Sequence, residues 1–511
     1  MEQLEQIVAG SAAIDGRTLK QRVLRAVAGL QALGVGSGDR VAILMRNAIP
    51  QVEATLAAQH LGAYPVQINW HAGLEEVRHV LHDCGARLVV CHADFQHTVA
   101  EALPQPLPTV LVRPAPEILR AYRLDPQRCE LPAGALEWES WLAAQPPSEL
   151  PPATAVESII YTSGTTGLPK GVRRFVPTAE QVQRTERMRL LMTGISERAR
   201  VLVPAPLYHT APNLFAMRAV RKASLLVLPA RFDAAELLAD VERHRISHLY
   251  VVPTIFVRLL ALPAAVRSSF DLSSLSFVLH AGGPCAPSVK MAMLRWWGPI
   301  VHEYYGSTEA GPSTYVTGAE WLRKPGTVGR AIEGARVEVR DDAGRRLGPN
   351  EVGELVVRND GYADFTYLNR EPARQELQRG DMLATGDMGY QDADGYFFLV
   401  DRKRDLVISG GVNIYPAEIE AAIQAVDGVA DCAVFGIPDE EFGEALAAIV
   451  EPLPGVDLAP AFLRDRLGST LPRFKVPRVV EITPRLPREE SGKIRKRLLR
   501  EPYWAQAGRR I

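Results

Sequence analysis

Residues 161–172 read Tyr161-Thr-Ser-Gly-Thr-Thr-Gly-Leu-Pro-Lys-Gly-Val172. The stretch holds three glycines, four aliphatic hydroxyls and one lysine, with no carboxylate. An apolar run, Ser158-Ile-Ile-Tyr161, leads in. Glycines let backbone N–H groups face a ligand with no Cβ in the way. Hydroxyls and a lysine add further donors. Donors packed this densely suit a polyphosphate. The P-loop pattern G-x-x-x-x-G-K-[ST] is not met. Gly164 and Gly167 are two residues apart, Pro169 precedes Lys170, and Gly171 stands where a magnesium-binding hydroxyl would be. The plainer alternative is a surface loop.

Around this stretch the chain has an α/β rhythm. From residue 20 to 320, short apolar strands alternate with helical patterns. Val41–Met45 reads as a strand and 50–61 as a helix. The rhythm recurs at Arg87–Cys91, Val201–Pro204, His248–Val252 and Ser276–His280. This predicts largely parallel sheets. Residues 103–152 are proline-rich and read as a loop-bearing excursion. From residue 326 the texture turns to hairpins, Ala335–Arg340 with Gly353–Arg358 and a second one about Gln391–Gly395. A small β-barrel-like part closing the large α/β domain is expected there. Beyond residue 404 a compact α+β unit follows, with a helix from Pro416, strands near Ala430–Phe435 and Ala445–Val450, and a helix near Pro460–Leu467.

Composition narrows the function. The 511 residues favour about two to four domains. With 47% apolar residues, 23% charged residues and a net charge of -1, nothing electrostatic points to nucleic acid or an anionic membrane. Cys84, Cys91, Cys129, Cys285 and Cys432 are odd in number and contain no Cys-x-x-Cys. A disulfide framework or a zinc site is not expected, and a reducing compartment is. The N-terminus has no signal-peptide pattern, and no apolar run reaches the roughly 18 residues of a membrane span. A soluble cytoplasmic protein is the expectation.

Further motifs carry chemistry, each beside a plainer reading. Val301–Ala310 ends a strand in a turn, where open α/β sheets bind ligands. Tyr305 suits stacking on a base, Thr308 a phosphate and Glu309 a magnesium ion; the plainer reading is a buried aromatic and a helix cap. Ala281-Gly-Gly-Pro284 suits close approach by a flat ring, or is an ordinary turn. Asp387 of Thr385-Gly-Asp387 suits two ribose hydroxyls, or is a turn aspartate. Asp401–Asp405 is a charge run that by itself reads as a solvated linker. Pro487–Lys493 lies in a basic tail and by itself reads as a solvated helix start. His209 suits a gate, although a lone histidine is more often structural.

Together and in this order, these segments resemble the adenylate-forming superfamily: acyl-CoA synthetases, adenylation domains of peptide synthetases, and firefly luciferase. The resemblance spans residues 12–500. Its most specific parts are 161–172, Tyr305–Glu309, Thr385–Asp387, Arg402 with Gly410-Gly411, and Gly492-Lys493. It implies an N-terminal adenylation domain, 1–402, and a small mobile C-terminal domain, 403–511. It also implies ATP, Mg²⁺ and coenzyme A, and two half-reactions by way of an acyl-AMP. Thr162, Ser163, Gly164, Thr165, Thr166 and Lys170 would hold the β- and γ-phosphates. Gly283 and Tyr305 would sandwich adenine, Gly306 would belong to the same ATP site, and Asp387 and Arg402 would hold the ribose. Thr308 and Glu309 would handle the α-phosphate and metal. Lys493 would bridge acyl oxygen and α-phosphate. Arg404 aligns with the hinge, where relatives carry aspartate or lysine. Ser409, Gly410 and Gly411 would face the pantetheine, Phe474 and Lys475 its nucleotide end, and His209 would gate the tunnel.

Amino-acid-activating relatives carry an aspartate near the gate. Leu207–Asn213 has none, so an acid without an α-amine is favoured. Tyr208, Leu214, Phe215, Ala281 and Cys285 would make a mainly apolar acyl pocket, suiting a fatty, aryl or alicyclic acid. The alternatives are an acyl-AMP ligase that loads a carrier protein, a luciferase-like oxidase and a nucleotide sensor. A homodimer is a family-level expectation.

Overall fold

Val41 and Ile43 are buried on one side of their strand, and Ala42 and Leu44 on the other. A strand covered on both faces reads as a continuous apolar run, the mark of a parallel sheet between layers. The structure is a computed structural model that describes residues 3–154, 156–162, 168–410, 412–488 and 494–506. It has a large N-terminal part and a smaller C-terminal part.

Two sheets build the large part. The first has eight strands in the order Phe365–Tyr367, Lys170–Arg174, Ile159–Thr162, Tyr64–Gln67, Arg40–Leu44, Leu88–His92, Thr109–Val112, Leu136–Glu137. It is parallel except at the first two pairings. The second has nine strands in the order Arg330–Ala331, Gly311–Val316, Val301–Ser307, Phe277–His280, His248–Val251, Arg200–Leu202, Leu225–Val227, Gln6–Ala9, Ala12–Ile14. Its interior is parallel and its two ends antiparallel. The principal core lies between the sheets, where Val41, Ile43, Val90, Val201 and Leu226 meet the helices Ile49–His60 and Thr210–Lys222.

The excursion at 103–152 holds more order than its prolines suggest. It contains the strand Thr109–Val112 and the helices Pro116–Tyr122 and Trp138–Ala143. Pro116 occupies the first helical turn, where the N–H it lacks has no intrahelical partner anyway. Trp138 is buried and donates to Glu53 Oε2 at 2.9 Å.

The expected hairpins form. Ala335–Arg340, Gly353–Asn359, Met382–Gln391, Gln378–Arg379 and Phe397–Arg402 make a five-stranded sheet whose pairing stays open among the described residues. Register shifts at Glu354/Val356 and Met388/Gly389 bend it. The edge at Phe397 is covered by Val328 and Gly329 of the large part rather than by another strand.

The C-terminal sheet runs Val412–Ile414, Val407–Ser409, Gly443–Pro452, Val429–Asp439, with Val479–Ile482 parallel to Gly443–Pro452. Helices Pro416–Gln424 and Pro460–Gly468 cover one face. Leu486, Ile494, Leu499 and Tyr503 cover the other. No described helix is long and apolar enough to cross a membrane. All five cysteines are free. Burial pushes the Cys84 thiol up to about 12 and also raises Cys91, Cys285 and Cys432.

A buried ion pair sits beneath the strand Val301–Ser307. Lys290 of the helix Pro287–Trp297 is paired with Glu303 of that strand, and both are buried. His280 Nε2 is 3.4 Å from the same carboxylate oxygen, and the Lys290 ammonium is 5.2 Å from the Trp321 ring. Burial pushes the Glu303 carboxyl up and the Lys290 ammonium down. Removing one partner leaves an uncompensated charge in the interior. Lys290→Ala is expected to lower stability by about 3–5 kcal/mol, whereas Lys290→Met with Glu303→Leu recovers most of it. Urea denaturation of the three proteins checks this.

Candidate active site

The strands Ile159–Thr162 and Lys170–Arg174 are antiparallel neighbours, with Thr162 opposite Lys170 and Tyr161 opposite Gly171. A Cβ on Gly171 would come within 2.7 Å of the Tyr161 ring. This pairing fixes both ends of the donor-rich stretch. Ser163, Gly164, Thr165 and Thr166 lie outside the described residues.

The second component is the turn Thr308–Ala310, joining the antiparallel strands Val301–Ser307 and Gly311–Val316. A bulge falls between Tyr305 and Gly306. A Cβ on Gly306 would sit 2.3 Å from the Gly311 carbonyl oxygen, so no larger residue fits. Arg174 holds the turn from below. Its Nη2 donates to the carbonyls of Thr308 (2.7 Å) and Glu309 (3.0 Å), and its Nη1 to that of Ala363 (2.8 Å). Its Nε is 3.3 Å from Glu157. The side chains that emerge converge on the donor-rich stretch. Glu309 Oε1 accepts from Thr162 Oγ1 (3.2 Å) and from the Tyr367 hydroxyl (2.9 Å). The Lys170 ammonium lies 5.3 Å from the Tyr367 ring. The hydroxyls of Thr308 and Thr210 are 2.7 Å apart.

Tyr305 serves the opposite side. Its hydroxyl donates to Asp387 Oδ2 at 2.7 Å, and Arg402 Nε lies 3.0 Å from Asp387 Oδ1. Asp387 and Arg402 are direct partners across two antiparallel strands. Burial, and then the Asp387 charge, push the Tyr305 phenol well above its usual range. Beside this group lies the turn after Phe277–His280, where Gly282 has φ +84°. Space is open over Gly283, where a Cβ would meet nothing within 4 Å.

Behind the turn is a cavity of about 40 Å³. Leu214 and Phe215 line it, together with Tyr250, Leu279, Tyr304 and Tyr362. Tyr208 and Ala281 are buried in the neighbouring cores, and Cys285 packs on the core outside the second sheet. His209 occupies the N-cap of the helix Thr210–Lys222, its ring 4.3 Å from that of Tyr208.

The remaining expected residues make their contacts within the C-terminal part. Ser409 pairs with Val412 in register. Gly410 has φ +57°, and its N–H donates to the Phe442 carbonyl at 2.8 Å. Lys475 binds Glu418 at 2.6 Å, and Phe474 beside it is 53% exposed. Arg404 follows Lys403, which is tied to Asp342 and Glu354. Gly411 and Lys493 lie outside the described residues.

Arg174, Tyr367, Thr210 and Glu157 were not among the sequence candidates. Arg174 had one available signal, since it continues the two-residue alternation from Lys170 and so shares its face. Tyr367 had none, because only the pairing of Tyr367 with Val172 brings it in.

The arrangement offers one carboxylate among hydroxyls, a lysine near it, and a second carboxylate fixed by a phenol and a guanidinium. Comparison with known proteins agrees with a shared design. Residues 5–364 match the AMP-binding enzyme family, and residues 418–493 match the AMP-binding enzyme C-terminal domain. A feruloyl-CoA synthase from an Amycolatopsis species is 34% identical over 501 residues, covering 97% of this chain and 95% of that protein. A long-chain-fatty-acid–CoA ligase of Mycobacterium tuberculosis is 32% identical over 486 residues, covering 93% and 90%. The amide bond synthetase McbA from Marinactinospora thermotolerans superposes with a TM-score of 0.82 at 26% identity, covering 97% and 96%.

Arg174→Met strips three carbonyls of their donor, at a typical cost of about 1–3 kcal/mol for each buried group left unmade. Thermal unfolding should register the loss. Amide exchange at Thr308 and Glu309 should quicken, and Arg174→Lys should restore only part of the protection.

Proposed function

The chain belongs to the AMP-binding enzyme family, and on that premise we propose that Glu309, Thr308, Asp387 and Lys493 carry the adenylation it catalyses. It is an ATP-dependent acid–thiol ligase of the AMP-forming acyl-CoA synthetase type. A carboxylic acid is converted to acyl-AMP and then to the thioester of coenzyme A. The carrying observation is the meeting of Thr162 and Glu309 at 3.2 Å across 147 residues, at the end of the strand that also presents Tyr305.

In the first step an acid oxygen attacks the α-phosphorus of ATP. The bond to pyrophosphate breaks as the acyl–phosphate bond forms. Two anions must approach, so positioning and charge neutralisation are the main work. The 162–170 loop with Lys170 receives the outgoing phosphates. Thr308 presents its hydroxyl to the α-phosphate. Asp387 receives the ribose hydroxyls. Each Asp387 oxygen spends one lone pair on Tyr305 or Arg402 and keeps another free. Tyr305 and Gly283 flank the adenine. Glu309 fits Mg²⁺, which takes one or two carboxylates and completes its shell from phosphates and water. Held there, the ion would neutralise phosphate charge.

Lys493 supplies the mobile cation. Residues 1–402 act as the adenylation domain and 403–511 as the domain that turns about Arg404. After the turn, Ser409, Gly410 and Gly411 face the pantetheine, Phe474 and Lys475 the coenzyme A nucleotide, and His209 stands between pocket and tunnel. The thiol then attacks the carbonyl and AMP leaves. Five free cysteines suit a reducing cytoplasm. The acid is one without an α-amine.

A pyrophosphate-release screen over fatty, benzoic and alicyclic acids, with and without coenzyme A, tests the reaction. Release without any thioester when coenzyme A is present would assign the acceptor to a carrier protein instead. Lys493→Ala is expected to slow acyl-AMP formation by roughly 10²–10³ while ATP still binds. An undiminished adenylation rate in that variant sinks the assignment of the lysine.

A further inference from the structure

The cavity behind Thr308 is mainly apolar, but two buried arginines, Arg189 and Arg218, stand in its wall. Ala211, Leu214, Phe215 and Arg218 follow one another on the cavity-facing side of the helix Thr210–Lys222. Their spacing of three, four and seven residues is that of a single helix face. The helix begins at Thr210, whose hydroxyl touches Thr308. Arg218 therefore lies about 10 Å deeper than Ala211 at the helical rise of about 1.5 Å per residue. It marks the far end of the pocket from the reacting phosphate.

That far end holds a buried guanidinium whose donors are not all used. Arg218 is 7% exposed. Its Nη1 binds Glu186 at 3.1 Å and its Nη2 reaches the Ile195 carbonyl at 3.4 Å. Its Nε is buried with no hydrogen-bond partner among the described residues, and the same holds for Nε of Arg189 in the neighbouring wall. Arg189 is paired with Glu157, which also serves Arg174, and donates to the Tyr362 hydroxyl at 3.3 Å. Burial keeps the phenols of Tyr304 and Tyr362 protonated. Both guanidinium charges already have carboxylates, so what the two Nε groups lack is an acceptor atom rather than a further anion.

We propose that the acid carries an uncharged acceptor oxygen (hydroxyl, ether or keto) about 10 Å from its carboxyl, and that Arg218 selects for it. This rests on the reading of the cavity as the acyl site. It deepens that reading by separating oxygenated acids from plain alkyl ones. A site built to bond a substrate oxygen rejects the analogue lacking it far more strongly than a greasy pocket rejects an added hydroxyl.

The test compares kcat/KM for matched acids: cinnamic against 4-hydroxycinnamic acid, and octanoic against 8-hydroxyoctanoic and octanedioic acid. The hydroxylated member of each pair should win by at least about 10-fold, and Arg218→Met should shrink that ratio to about 3 or less. The wild-type ratio requires no variant and stands even if Arg218→Met folds poorly. Equal rates for bare and hydroxylated acids, or a preference for octanedioic over 8-hydroxyoctanoic acid, overturn the proposal while leaving the ligase activity intact. Pyrophosphate release with none of the acids would instead remove the activity on which the proposal rests.

Discussion

The guanidinium of Arg174 ties together parts that are far apart in the chain. It leaves a strand of the first sheet, pairs with Glu157, and donates to carbonyls in two separate turns, one at 308–309 and one at 363. A fork of fixed N–H directions does this where a flexible ammonium would not. The second sheet thus ends against the first at a defined height. Glu309 meets Thr162 only because this height is set.

The strand Val301–Ser307 then divides the work by the simplest rule of β-structure, that neighbouring side chains point to opposite faces. Tyr305 packs toward the five-stranded sheet, where Asp387 and Arg402 would receive a ribose in the proposed reaction. Tyr304 packs toward Met188, Met192 and Tyr362, where the acid would lie. In the proposed reaction the two substrates would approach one strand from its two faces and meet at its end. The ion pair of Lys290 with Glu303 anchors the same strand from the outer helix layer.

The parallel core was the most legible part of the sequence. Strands such as Arg40–Leu44 and Leu88–His92 are apolar on both faces, and that pattern survives without any knowledge of neighbours. The 103–152 region misled because a proline at a helix start reads, in sequence, like a proline that breaks a helix. The bend of the five-stranded sheet was not legible, because it depends on bulges and on what covers an edge. Neither leaves a compositional trace. In the site, Thr308, Glu309 and Asp387 stood out as chemistry beside strand ends and glycine turns, and Arg402 only through the family resemblance. Arg174 and Tyr367 did not, since their roles arise from partners 189 and 58 residues away. Arg218 did not either, because an arginine late in a helix ordinarily faces solvent.

The buried thiols have a chemical consequence. A mixed anhydride acylates any thiolate it meets, and the enzyme must offer it to one sulfur, that of its co-substrate. Only the ionised form of a cysteine reacts. Cys84, Cys91, Cys129 and Cys432 are buried, and Cys84 is pushed up to about 12. Cys285, on the outer core of the second sheet, is raised by its burial as well. Burial that keeps these sulfurs protonated at neutral pH also lowers their reactivity toward such an anhydride.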